Sequence, residues 1–384
     1  MSEWKEIRLG DLCTFMSRGI TPQYVDVGTP VINQKCIRNN NVDLSLCKFT
    51  DTRQKIKKEK YVEYGDILIN STGTGTLGRV AIYKHHLDNI SADGHVTILH
   101  TNSNVNSAYL GYYLHSVEPL IESLGRGSTN QMELSLTDLK TIKIVLPPLD
   151  TQTRIANILS SYDDLIENNN RRIALLEKAA QELYKEWFVR FRFPGYENAK
   201  FENGLPEGWQ VRRVGDISKI GSGGDAPKDY SPVRTPEYSV PIFSNGITND
   251  GLYGFAKKGT KKAKSITISA RGTVGFTCLR FEPYLPIVRL LSIEPDNKDI
   301  DVYYLYYNLR NDIIDGYGTS QQQITIPFFS KKKIIIPSMA LQNQYAAIVE
   351  EIYNQINKLK DMNNNLVKQR DLLLPRLMSG KLEV

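Results

Sequence analysis

The sequence runs through the same order of segments twice. Trp4-Lys5-Glu6-Ile7-Arg8-Leu9-Gly10-Asp11-Leu12 returns as Trp209-Gln210-Val211-Arg212-Arg213-Val214-Gly215-Asp216-Ile217. Asp66-Ile67-Leu68-Ile69-Asn70 with Thr76-Leu77-Gly78 is echoed by Ser265-Ile266-Thr267-Ile268-Ser269 with Thr273-Val274-Gly275. A Tyr-rich segment, Tyr109-Leu110-Gly111-Tyr112-Tyr113-Leu114, matches Tyr304-Leu305-Tyr306-Tyr307-Asn308-Leu309. The polar run Gly125-Arg126-Gly127-Ser128-Thr129-Asn130-Gln131 matches Gly316-Tyr317-Gly318-Thr319-Ser320-Gln321-Gln322. Order is kept while spacing drifts by a few residues, which marks a duplicated domain and not a short solenoid repeat. Two such modules imply one operation performed at two places, on a shared scaffold with diverged loops.

The 384 residues, 41% hydrophobic and 23% charged, suit two or three domains with their own cores. No apolar run reaches spanning length and Met1-Ser2-Glu3-Trp4 begins no signal peptide, so a cytoplasmic protein without a membrane partner is expected. Cys13, Cys36, Cys47 and Cys278 show no metal-ligand spacing and are expected as free thiols. The net charge of +6 is gathered at Arg53-Gln54-Lys55-Ile56-Lys57-Lys58-Glu59-Lys60, at Lys257-Lys258-Gly259-Thr260-Lys261-Lys262 and at Lys331-Lys332-Lys333. Each cluster alone also fits a solvated face; clusters in both halves point to an extended anionic partner such as double-stranded DNA.

Each half closes in a segment with heptad spacing. Ile155, Leu159, Tyr162, Ile166, Asn169, Ile173, Leu176, Ala180, Leu183 and Trp187 step by alternating four and three. Tyr345, Val349, Ile352, Ile356, Leu359, Asn363, Leu366, Arg370, Leu373 and Leu377 repeat that seam 190 residues later without a slip. Two helices with matched seams should pack on each other. An antiparallel pair related by a pseudo-dyad sets Asn169 against Asn363, Ile166 against Leu366, Leu176 against Ile356, Leu159 against Leu373 and Trp187 against Tyr345; only Tyr162 opposite Arg370 fits badly. A facing Asn pair satisfies its own amides and fixes register, although both also suit positions near the surface. From Ile155 to Trp187 such a helix is about 48 Å long at about 1.5 Å per residue, against roughly 34–36 Å for a turn of B-DNA. The pair is therefore long enough to act as a ruler between the modules.

The fold class is α+β: two similar α+β modules separated by two long antiparallel coiled-coil helices, with internal pseudo-two-fold symmetry. The expected layout is a first module over 1–150, a helix over 151–193, a second module over 194–338 and a second helix over 339–384. Within the first module, strands are expected at Val31 to Ile37, Asp66 to Asn70, Val80 to Tyr83, Val96 to His100 and Ile142 to Leu146. No catalytic constellation is shared by the halves. Gly73-Thr74-Gly75-Thr76-Leu77-Gly78 has the Gly-x-Gly-x-x-Gly spacing of a dinucleotide site, but Arg79-Val80-Ala81-Ile82-Tyr83 continues as a strand and not a helix, so a tight hairpin loop is the better reading. No Asn-Pro-Pro-Tyr or Asp-Pro-Pro-Tyr motif of base methylation occurs. All five histidines lie in the first half, without counterparts, and Asp93-Gly94-His95 suits a turn.

Reading base edges needs Arg, Asn or Gln on loops held by a rigid scaffold. The polar runs supply Arg126, Ser128, Thr129, Asn130 and Gln131 in one module and Thr319, Ser320, Gln321, Gln322 and Gln323 in the other. The early loops add Arg18, Thr21 and Gln23 in the first module and Lys228 in the second; Arg79 and Arg271 flank the matching Gly-rich loops. Individually each also fits turn chemistry. Corresponding positions with different residues suit modules that read different sequences.

Leu205-Pro206-Glu207-Gly208-Trp209, the run ending Leu146-Pro147-Pro148-Leu149-Asp150-Thr151-Gln152-Thr153-Arg154-Ile155, and the helix ending Glu182-Leu183-Tyr184-Lys185-Glu186-Trp187-Phe188 resemble specificity subunits of type I DNA restriction-modification enzymes. The resemblance covers the whole chain. It implies a noncatalytic DNA-reading subunit in which each target-recognition domain reads one half of a bipartite, asymmetric site through the major groove and the helices set the unspecified gap. It further implies docking of two methyltransferase subunits, with two ATP-driven restriction subunits as further partners. Adenosylmethionine, ATP and magnesium would belong to those partners, leaving this chain without a cofactor. The second module departs modestly, with Pro337-Ser338-Met339-Ala340-Leu341-Gln342 for Pro147-Pro148-Leu149-Asp150-Thr151-Gln152. The same architecture serves restriction systems of other types; a reading of a different class is a noncatalytic coiled-coil scaffold that binds no DNA.

Overall fold

The computed structural model describes residues 4–127, 132–316 and 323–384. The chain divides into two compact units, Met1–Asn169 with Asp361–Val384, and Asn170–Lys360. The central sheet of each unit has the same strand order. Cys13–Arg18, Val96–Thr101, Ile67–Asn70 and Val80–Ile82 lie side by side, all antiparallel, in the first; Ser218–Ser222, Leu291–Pro295, Ser265–Ile268 and Thr277–Arg280 do so in the second. The unbroken apolar run Ile67-Leu68-Ile69 follows from burial on both faces. Ile67 and Ile69 point into the core shared with the Tyr-rich helix, and Leu68 points into a second core with Ala81, Val96 and Ile98. The Gly73–Gly78 segment closes the hairpin between Ile67–Asn70 and Val80–Ile82, the geometry its sequence favoured over a nucleotide loop.

A smaller sheet flanks each central one. Thr29–Ile32 pairs in parallel with Ser91–Ala92 and antiparallel with Lys48–Thr50; Val240–Phe243 pairs in parallel with Leu285–Pro286 and antiparallel with Leu252–Ala256. The strand expected from Val31 to Ile37 is broken. It ends at Ile32, and a separate strand Ile37–Arg38 follows. Asn33 causes the break: its Oδ1 accepts from the Lys35 amide at 2.9 Å while its carbonyl accepts from the Cys36 amide at 2.9 Å, a turn that competes with strand pairing.

Each unit is tied off by a two-stranded antiparallel ribbon, Lys5–Arg8 with Lys143–Leu146 and Gln210–Arg213 with Lys333–Ile336. The Tyr-rich helices Ser107–Ser116 and Val302–Gly316 pack on the central sheets and reach these ribbons through tyrosine hydroxyls. Buried tyrosine needs a partner for its hydroxyl, and both modules solve this alike: Tyr109 Oη donates to Val145 O at 3.0 Å and Tyr304 Oη to Ile335 O at 2.5 Å. Asn106 and Asp301 cap the helices through the amides of Tyr109 and of Tyr303 and Tyr304.

The long helices span Leu149–Tyr184, continued by a π-helical turn Lys185–Val189, and Met339–Met378. Both begin upstream of the heptad seam, at the Pro-x-x-x-x-Gln motif. Gln152, 2% exposed, donates Nε2 to Pro147 O (2.8 Å) and accepts the Asn106 amide (2.9 Å); Gln342, fully buried, repeats both bonds with Pro337 O and the Asp301 amide. Each compact unit holds half of each helix, because the module cores continue onto the helix ends. Leu9 and Leu12 share one cluster with Ile155, Leu159, Leu374 and Leu377, and Val214 and Ile217 another with Tyr184, Trp187, Tyr345, Val349 and Ile356.

Within the first unit the helices run antiparallel. Asn169 Nδ2 donates to Asn363 Oδ1 at 2.8 Å, and Arg370 donates to Asp163 Oδ1 at 2.7 Å. The second bond explains the one ill-fitting layer: Arg370 turns from Tyr162 to the neighbouring carboxylate, which also accepts from Tyr112 Oη. Within the second unit Tyr345 Oη donates to Ala180 O at 3.2 Å, and its ring lies 6.0 Å from that of Trp187. Ile166, Ile173, Leu176, Asn363, Leu366 and Leu373 are half-buried; Leu159, Asn169, Leu359 and Leu377 are buried. No helix among the described residues is long and apolar enough to cross a membrane.

Candidate nucleic-acid interface

In both modules the first strand of the central sheet runs into a close backbone crossing. A Cβ on Gly19 would lie 2.0 Å from Ala92 O, and one on Gly223 would lie 2.6 Å from the Ile287 nitrogen, so the crossing itself demands glycine. Gly19 N donates to Val96 O (2.9 Å) and Ile20 N to Ala92 O (2.7 Å); Gly223 N donates to Leu290 O (2.8 Å), and Val288 N to Gly224 O (2.7 Å). The turns pinned in this way, Asp93-Gly94-His95 and Val288-Arg289, face the loops that follow the small-sheet strands and the central hairpins.

In the first module Thr72 Oγ1 lies 2.7 Å from His95 Nδ1 and 3.2 Å from Gln34 Oε1, while Asn70 Nδ2 holds Gln34 O at 3.0 Å. Leu134 N donates to Ser71 O at 2.9 Å, which brings the segment after residue 131 to the same edge. Burial raises the Asp93 carboxyl, opposed by the His95 amide that donates to it at 2.9 Å. In the second module Asn245 Oδ1 accepts the Ala270 amide at 2.9 Å and its Nδ2 donates to Val288 O. Ile324 N donates to Ala270 O at 3.0 Å, and Arg271 reaches Gln323 Oε1 at 3.0 Å. Beneath this loop Arg280 is buried, its guanidinium 3.5 Å over the Phe243 ring and bonded to Thr267 Oγ1 and Asp250 O.

The sequence-selected residues divide accordingly. Arg271 and Gln323, far apart in the chain, come together. Arg126 is exposed and bridged to Asp138 at 2.9 Å beside an open groove that also includes Arg18. Arg18 is half-buried and spent internally: it donates to Gly94 O and Leu134 O and pairs with Glu133 at 2.7 Å. Arg79 folds back on Gly75 O at 2.7 Å. Thr21, Gln23 and Lys228 are exposed; the Gln23 amide is held by Thr50 and Gln54. Ser128, Thr129, Asn130 and Gln131, with Thr319, Ser320, Gln321 and Gln322, lie outside the described residues.

Gln34, His95, Asn245 and Arg289 were not selected from the sequence. The repeat held a signal for two of them, since Pro30-Val31-Ile32-Asn33-Gln34 aligns with Pro241-Ile242-Phe243-Ser244-Asn245. The basic clusters are less bare than their sequence suggests. Lys257 is paired with Asp229 and Glu237, Lys261 with Glu294, Arg53 with Asp51, and Lys60 donates to Gly19 O. Lys55, Lys57, Lys58, Lys258, Lys262, Lys331 and Lys333 are exposed.

The family model of the type I restriction modification DNA specificity domain matches residues 1–178 and 206–369. Among similar proteins, a type I restriction enzyme specificity subunit of Methanocaldococcus jannaschii is 31% identical over 343 residues, covering 83% of this chain and 78% of the relative. A type I restriction enzyme specificity subunit of Haemophilus influenzae is 24% identical over the full length of both chains. The crystal structure of a type I restriction-modification S subunit from M. genitalium superposes with a TM-score of 0.61 at 18% identity, covering 98% of this chain and 96% of that one, which shows the shared fold.

Proposed function

Since the chain belongs to the type I restriction-modification DNA specificity family, we propose that it is the DNA-reading subunit of such a complex, with one module for each half of a bipartite, asymmetric site. The observation that carries this is the same loop edge built twice on one backbone plan with different polar residues: Gln34, Thr72 and His95 in one module, Arg271 and Gln323 in the other. A shared scaffold with exchanged hydrogen-bonding groups is what reading two different sequences requires. The paired helices set the unspecified gap and offer the surface on which two methyltransferase subunits dock, with two restriction subunits as further partners. The complex acts in the cytoplasm. The chain is noncatalytic and holds no cofactor of its own; adenosylmethionine, ATP and magnesium serve the partner subunits.

The test is an exchange of residues 205 to 336 for the second recognition domain of another family member, with methylome sequencing of cells that also express the methyltransferase. One half of the methylated motif should change while the other stays intact. Both halves changing together would contradict the two-module reading, and absence of any DNA mobility shift with methyltransferase present would favour the scaffold.

A further inference from the structure

The turn Val288-Arg289 holds left-handed backbone at both residues, with φ of 51° and 62°. For a β-branched residue this is an outlier that the surroundings must enforce. They do so with four bonds: Val288 N to Gly224 O, Arg289 N to Gly223 O, Leu290 N to Ile287 O, and Asn245 Nδ2 to Val288 O. The crossing does not itself require this conformation. In the first module Asp93-Gly94-His95 makes it with no residue at positive φ. The strain of the second module therefore goes with what its turn presents. Val288 is 49% exposed, and Arg289 is exposed with its guanidinium bound to nothing among the described residues. Of the other arginines named at this edge, Arg271 is exposed and leans on Gln323 through one bond, and Arg280 is buried against Thr267 and Asp250.

A planar guanidinium on a rigid turn matches the O6 and N7 acceptors of guanine bidentately, whereas a phosphate contact needs no such fixed presentation. We propose that Arg289 is a base-reading residue of the second module, pairing with a guanine edge in that module's half-site. The inference rests on the DNA-reading function proposed above and adds to it the residue and the base.

Arg289→Ala, Arg289→Lys and Val288→Asn, each in the full chain, are expressed with the methyltransferase subunits. Methylome sequencing reads the motif and thermal unfolding reads the fold. Arg289→Ala should turn one guanine of the second half-site degenerate and lower methylation of wild-type sites by on the order of 10-fold to 100-fold at limiting enzyme. The first half-site should not change. Arg289→Lys should relax the same position, because a point charge lacks the fork. Val288→Asn, which tolerates left-handed backbone, should keep the Tm at or above wild type and leave the guanine readout unchanged, because the turn that presents Arg289 is kept. Uniform loss of methylation at all sequences, an unchanged motif in Arg289→Ala, or strict guanine retained in Arg289→Lys would each overturn the assignment and leave the two-module reading standing. A Tm loss of several degrees in Val288→Asn would overturn the strain argument behind it. A wild-type complex that methylates no bipartite site would sink both.

Discussion

At the scale of single residues, two buried glutamines do more than the charges around them. Gln152 and Gln342 each join the start of a long helix to the amide before a Tyr-rich helix and to the carbonyl of a proline five residues earlier. An isosteric apolar side chain cannot replace these bonds, so Gln152→Leu strands the Asn106 amide and Pro147 carbonyl. At about 1–3 kcal/mol per stranded buried group, Gln152→Leu should destabilise by roughly 2–4 kcal/mol in urea unfolding, and Gln342→Leu by a similar amount. The nearby ion pair of Arg154 and Asp150 is largely exposed, and Asp150→Ala should cost no more than about 0.5 kcal/mol. Equal losses at Asp150 and Gln152 would refute this ranking. The glutamines were visible in the sequence as part of a motif, but their bonds were not, because the Asn106 and Asp301 amides arrive from more than forty residues away.

Among the elements, the helix pair is where periodicity told most. A seam of alternating four and three steps with one Asn in each helix dictated antiparallel packing and its register, and Asn169 meets Asn363 at 2.8 Å. Facing amides at such a position lower stability relative to an apolar pair while excluding other registers. Asn169→Leu or Asn363→Leu alone should destabilise by about 1–3 kcal/mol, since each removes one partner of a half-dry bond. The double substitution should cost clearly less than the sum of the two. A double-mutant cycle by chemical denaturation measures the coupling; strictly additive losses would show that the amides do not act on each other. The layer that periodicity could not resolve is an ionic one. Arg370 pairs with Asp163, one position away from the seam, and that carboxylate is positioned by Tyr112 from the first module.

For the whole molecule, the proposed ruler ties helix length to the DNA site. The antiparallel register means that a change in one helix must be matched in the other, or every later layer slips. One heptad inserted in each helix, next to Asn169 and Asn363, lengthens each by about 10 Å, which corresponds to about three base pairs at roughly 3.4 Å. The gap of the methylated motif should grow accordingly with both half-sites unchanged, and activity should persist only where helical phase is roughly kept. Methylome sequencing reads the gap directly. A gap that stays constant while methylation continues would show that another feature sets the spacing.

Duplication, the α+β modules, the helix register and the hairpin nature of the Gly73–Gly78 loop were all legible along the chain, since each rests on repetition or periodicity, which nearby residues carry among themselves. The composition of the candidate interface was not. Arg18 looked like a free base contact and is consumed by Glu133, Leu134 and Gly94; Lys257 looked like a bare cation and is held by two carboxylates. Gln34, His95, Asn245 and Arg289 acquire their place only where the first strand crosses the small sheet at Gly19 and Gly223. Which polar side chains are left facing outward depends on partners that long-range strand pairing delivers, and no local pattern encodes those partners.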